Sequence, residues 1–154
     1  MNVRILGSGG SFGVPLIGNR FGICDKNNPK NYRTRPSILL NYKGKNILID
    51  TGPDIRQQLL DAKCDKINAI LYTHKHADHI HGINDLRALS LIMKNKIPAW
   101  GSKETIEYLK SNFNYIFNHS KSYEPIMITN IILDEFYINN IKINTFQHNH
   151  GNID

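Results

Sequence analysis

Thr73-His74-Lys75-His76-Ala77-Asp78-His79-Ile80-His81 decides the reading of this chain. It follows directly on Ile67-Asn68-Ala69-Ile70-Leu71-Tyr72, an apolar run with the β-branched content of a strand. A lone histidine is usually a satisfied core or surface residue. Four within eight residues, with an aspartate among them, at the end of an apolar strand, form instead a set of nitrogen and oxygen donors suited to Zn²⁺ and its neighbours. Alternate residues of an extended segment share one side, so His74 and His76 can clamp one ion. The chain then turns, which lets Asp78 and His79 reach a second ion close by. Two metals ~3.5–4 Å apart can hold a hydroxide at neutral pH and stabilise both the attacking and the leaving oxygen of a displacement.

Outward from this stretch, strands and helices alternate. Residues 3–6 read as a short strand, followed by a loop to Pro36 broken by Gly7, Gly9, Gly10, Gly13, Pro15, Gly18 and Gly22. Residues 37–42 and 46–50 are apolar runs around Lys43-Gly44-Lys45, a hairpin signal. Pro53 opens a helix with Asp54 in its first turn and Ile55, Leu59 and Leu60 on one face. Ile83, Leu86, Leu89 and Met93 give residues 83–94 helical spacing, and residues 97–100 are strand-like. Ser102 reads as an N-cap, with Glu104 in the first turn of a helix reaching toward Phe113. From Pro125 the chain is β-rich (126–133, 136–138, 141–146), with Asn139-Asn140 as a tight turn. The expectation is a single α/β domain with mixed sheets and layered helices.

Composition excludes several classes. The 154 residues are 40% hydrophobic, too apolar for a disordered chain and long enough for one closed core. No apolar run approaches the ~20 residues of a membrane helix. The first residues lack the apolar core of a signal peptide, and Cys24 and Cys64 make no disulfide framework, so the expected location is cytoplasmic, with no membrane partner. The net charge of +6 would attract a phosphate ester or a polyanion, but the lysines are scattered and Tyr32-Arg33-Thr34-Arg35 is the one local basic cluster.

Taken together, Thr73-His74-Lys75-His76-Ala77-Asp78-His79, Leu48-Ile49-Asp50-Thr51-Gly52, the loop Leu6 to Pro15 and His81-Gly82-Ile83-Asn84-Asp85-Leu86-Arg87 resemble the metallo-β-lactamase superfamily. The resemblance runs along essentially the whole chain. The glycine loop and Asp85-Leu86-Arg87 are similar to the branch of phosphoribosyl cyclic phosphate phosphodiesterases, in which a basic segment like Arg33-Thr34-Arg35-Pro36-Ser37 precedes the second strand. The tRNA 3′-processing endonucleases share the histidine motif.

What this resemblance implies is a two-metal hydrolase with the αββα sandwich fold. His74, His76 and His150 would take the first metal, His150 being preferred to His148 because Gly151 follows it. Asp78 and His79 would take the second, with Asp78 also receiving a proton from water, and Asp50 would orient the ligands from behind. The family's bridging aspartate and last histidine are not found after His150, so the sequence is expected to be a C-terminally incomplete domain, residues 1–154. The implied activity is hydrolysis of a phosphodiester by a metal-bound hydroxide, impaired in the shortened chain, on a small phosphate-ester substrate with Zn²⁺ or, alternatively, Mn²⁺. Two other expectations stand beside it: an inert metal-binding or partner-docking remnant, and a tRNA-processing nuclease with nucleic acid as the less favoured partner. As an alternative to a fragment, a second chain or oligomer would complete the fold. His81 is expected at a helix start or pocket, and His119 at the surface.

Overall fold

A computed structural model describes residues 1–121 and 123–148. Eight strands and five α-helices alternate along it: β1 (Asn2–Gly7), β2 (Ser37–Tyr42), β3 (Lys45–Ile49), α1 (Ile55–Asp61), β4 (Ala69–Leu71), α2 (Ala77–Ile80), α3 (Arg87–Met93), β5 (Ile97–Gly101), α4 (Lys103–Asn112), α5 (Asn114–Phe117), β6 (Met127–Ile131), β7 (Glu135–Ile138) and β8 (Ile141–Asn144). The first six strands form one sheet in chain order, and β7 and β8 form a separate hairpin. The pairs β1–β2 and β2–β3 are antiparallel, while β3 through β6 run parallel, joined by helical crossovers. The mixed, layered α/β architecture expected from the sequence is present.

Strand alternation splits the core in two. On one face Leu39, Leu48, Ile70, Ala99 and Met127 pack against Ile55 and Leu59 of α1, Leu89 of α3 and Ile106 and Leu109 of α4. On the other, Ile47 and Ala69 meet Phe136, Ile138 and Ile141 of the β7–β8 hairpin, with Trp100 stacked on Phe136 at a 4.6 Å ring separation. Each fully buried aliphatic side chain contributes roughly 1.5–3 kcal/mol.

The helix of residues 83–94 is shorter than its spacing predicts. Ile83–Leu86 forms a 3₁₀ turn, and α3 begins only at Arg87. The turn follows directly on Gly82, which is held by its N–H to the Thr51 carbonyl and sits where a Cβ would lie 2.1 Å from the Gly52 carbonyl oxygen. That crossing fixes where the chain leaves α2. In α1, Ile55 and Leu59 are buried as expected, but Leu60 is 56% exposed. Five residues past Ile55, it has rotated off the buried stripe. Ser102 caps α4 by accepting from the Thr105 N–H, as the sequence indicates. No helix among the described residues is long and apolar enough to cross a membrane.

Candidate metal centre

The candidate side chains gather at the carboxyl ends of the parallel strands β3 and β4, where open α/β sheets place their ligands. Asp50 follows β3 in the left-handed conformation (φ +62°), which Asp tolerates better than most residues. That bend turns its carboxylate back toward the end of β4. Oδ1 accepts from the Thr73 N–H (2.8 Å), and Oδ2 accepts from the Thr73 hydroxyl (2.7 Å) and from His79 Nδ1 (2.7 Å). Asp50 is buried, and its partners supply the donors a buried carboxylate requires.

Two backbone bonds dock the histidine segment onto the residues after β3. Thr51 N–H donates to the His79 carbonyl (2.7 Å), and Gly82 N–H donates to the Thr51 carbonyl (2.8 Å). Gly52 permits this contact, since a Cβ there would lie 2.2 Å from the Asp78 carbonyl oxygen. Beneath it, the buried Thr51 and Tyr72 hydroxyls hydrogen-bond at 3.1 Å. Burial holds the Tyr72 phenol well above its usual range, so it stays protonated and can donate at all physiological pH. On the outer side, Lys75 is ion-paired with Glu104 in the first turn of α4.

With this support the donors converge in two pairs. His74 Nε2 faces His76 Nδ1 at 2.8 Å, and Asp78 Oδ2 faces His79 Nε2 at 3.4 Å. The two pairs adjoin, since the His74 and His79 rings are 4.1 Å apart. Donors at ~2.0–2.2 Å from a tetrahedral ion lie about 3.3–3.6 Å from each other. The Asp78–His79 pair already has that spacing, and the His74–His76 pair needs to open by about half an ångström to reach it. The donor chemistry therefore fits a divalent metal. Among the described residues no group of three His, Cys, Asp or Glu side chains is placed to hold one ion. His150, the expected third donor, lies outside the described residues, and His148 is exposed.

His79 is pulled in two directions. Burial lowers its pKa most, but the hydrogen bond that His79 Nδ1 donates to Asp50 and the charges of Asp50 and Asp78 together raise it above the usual histidine value. A proton thus competes with any cation for His79 more strongly than for an ordinary imidazole.

Of the other expected residues, His81 closes the C-terminal end of α2 with its ring edge-on to Phe113 (5.8 Å). His119 is at the surface, within 2.8 Å of Glu124. In the basic cluster, Arg35 is tied to Asp54 (2.9 Å), while Arg33 is exposed and donates to the Lys30 carbonyl. Sequence reasoning gave Thr73, Thr51 and Glu104 no part in the site. Thr73 precedes the first histidine and carries a hydroxyl, which was the available signal. Glu104 meets Lys75 from 29 positions away and left none.

Comparison with known proteins bears on the fold and the family. A solved structure of a diphosphatase from the PhnP family superposes with a TM-score of 0.82 at 37% identity, over 92% of this chain and 54% of that one. A ribonuclease Z of Nanoarchaeum equitans is 36% identical over 122 residues, 75% of this chain and 39% of its own. An octanoyltransferase of Porphyromonas gingivalis is 36% identical over 118 residues, 76% of this chain and 24% of that protein. The chain thus spans about a quarter to a half of the length of these relatives. The sheet and its helices match the metallo-β-lactamase sandwich, and the model of the Beta-lactamase superfamily domain matches residues 45–154. By its fold, its histidine segment and that match, the chain belongs to the beta-lactamase superfamily.

Proposed function

We propose that this chain carries the metal centre of a cytoplasmic phosphodiesterase acting on a small phosphate ester, with Zn²⁺ as its ion and Mn²⁺ as the alternative. The observation that carries the reading is the adjacency of the His74–His76 and Asp78–His79 pairs, with Asp50 hydrogen-bonded to both Thr73 and His79. Nitrogen-rich donors favour Zn²⁺ over harder cations. When bound, divalent ions supply a Lewis acid for the phosphoryl oxygen and lower the pKa of water. The chain's own residues then do the positioning. Asp50 holds His79 with Nε2 turned toward the site and the Gly52–Gly82 crossing holds the Asp78 backbone; in this reading the Asp78 carboxylate takes the proton from water.

Metal-dependent turnover of bis-p-nitrophenyl phosphate by the purified full chain, abolished in His76→Ala, is the expected result. Tight metal binding without turnover would instead identify an inert metal-binding or partner-docking protein. A second reading, a nuclease acting on tRNA, is favoured by the ribonuclease Z relatives. It predicts RNA binding whose affinity falls steeply with salt, with a slope near −0.7 per phosphate contact on a single strand. A small-substrate enzyme shows no such slope.

A further inference from the structure

We propose that Thr73 is a positioning residue whose hydroxyl links Asp50 to His74 and sets the tautomer of that imidazole, so that a single carboxylate orients donors in both halves of the centre. The inference rests on reading residues 74–79 as a metal centre. Thr73 Oγ1 has three polar neighbours: Asp50 Oδ2 at 2.7 Å, His74 Nδ1 at 3.0 Å and His79 Nδ1 at 3.4 Å. A hydroxyl has one proton to give. The anionic acceptor at the shortest distance takes it, because charge-assisted bonds are roughly twice as strong as neutral ones. Oγ1 then presents only lone pairs to His74, and that contact is attractive when the proton sits on Nδ1. A neutral imidazole protonated at Nδ1 carries its lone pair on Nε2, and Nε2 is the atom facing His76.

The same carboxylate oxygen accepts from His79 Nδ1, which leaves the His79 lone pair on Nε2, facing Asp78. Asp50 therefore acts on His79 directly and on His74 through one intervening hydroxyl. Oδ1 is held separately by the Thr73 N–H, so the carboxylate stays in place when the hydroxyl is removed. Thr73→Val keeps the branched shape and that backbone bond while deleting the link, and Thr73→Ser keeps the hydroxyl.

Imidazole ¹⁵N–¹H correlation spectra of the metal-free full chain above neutral pH read the tautomer directly, with His74 assigned through His74→Gln. Wild type and Thr73→Ser are expected to show His74 protonated at Nδ1, and Thr73→Val a shift toward the Nε2-protonated form. Zn²⁺ affinity by chelator competition should fall about 10–100-fold in Thr73→Val and stay within about threefold in Thr73→Ser. A wild-type His74 protonated at Nε2, or a Thr73→Val protein with unchanged tautomer and affinity, overturns the proposal. Should Thr73→Val fail to fold, the wild-type and Thr73→Ser spectra decide it alone. A wild type that binds no Zn²⁺ yet shows the Nδ1 tautomer would sink the phosphodiesterase reading and leave the Thr73 link standing.

Discussion

Glycine at positions 52 and 82 lets two segments cross where any side chain would collide. Both clashes are with backbone carbonyls, at 2.2 and 2.1 Å, so no rotamer change relieves them. Gly82→Ala is expected to destabilise the protein by about 3 kcal/mol, the upper range for overpacking, which corresponds to a fall in Tm of roughly 10 °C at this chain length. Gly10→Ala, a position with open space around it, serves as the control and should leave Tm unchanged. A second contrast at this scale concerns the two thiols. Cys24 is exposed, whereas burial, ahead of smaller contributions, pushes the Cys64 thiol above its usual value. A raised pKa means less thiolate at a given pH, and the thiolate is the nucleophile. Iodoacetamide near neutral pH should therefore label Cys24 first, with Cys64 catching up as the pH rises. Equal rates for both thiols would contradict the environment assigned to Cys64.

The β7–β8 hairpin is the element that covers part of the sheet's second face, and its turn sets its register. Asn139 and Asn140 both adopt positive φ (47° and 64°), the geometry of a two-residue type I′ turn. Asn140→Gly should be neutral or slightly stabilising, while Asn140→Ala should cost about 1 kcal/mol, both read by denaturant midpoint. Such a turn is legible in sequence because its chemistry is local. The strands, the Ser102 cap, the His74–His79 segment and Asp50 were legible for the same reason, each resting on a run or a spacing of a few residues. What was not legible depends on contacts between distant segments. Gly52 meets Gly82 across 30 positions, and periodicity alone cannot report such a contact. Thr73 stood in plain view, but its role needs the left-handed bend at Asp50, which no residue near it announces.

At the scale of the whole molecule, the two faces of the six-stranded sheet are covered unequally. One is packed under helices, and the hairpin covers the middle of the other. By strand register, Val3 and Ile5 of β1 share that second face with Leu40 and Ile38, and Ile128 of β6 lies on it beside Pro98. Val3, Ile5 and Ile128 are 55%, 66% and 47% exposed, so apolar surface remains at both edges of a face whose centre is buried. Exposed apolar surface of this kind binds environment-sensitive dyes and lowers solubility. Replacing Ile5 and Ile128 together by Thr keeps β propensity and removes little buried area. The double variant should bind less anilinonaphthalene sulfonate and remain soluble at higher concentration. Its Tm should lie within about 3 °C of the parent, as for surface substitutions worth no more than ~0.5 kcal/mol each. Ile70→Thr, on the helix-covered face and fully buried, should by contrast lower Tm sharply. Dye binding that survives in the double variant would place the accessible apolar surface elsewhere, among exposed side chains such as Phe12, Ile17, Ile23 or Phe146.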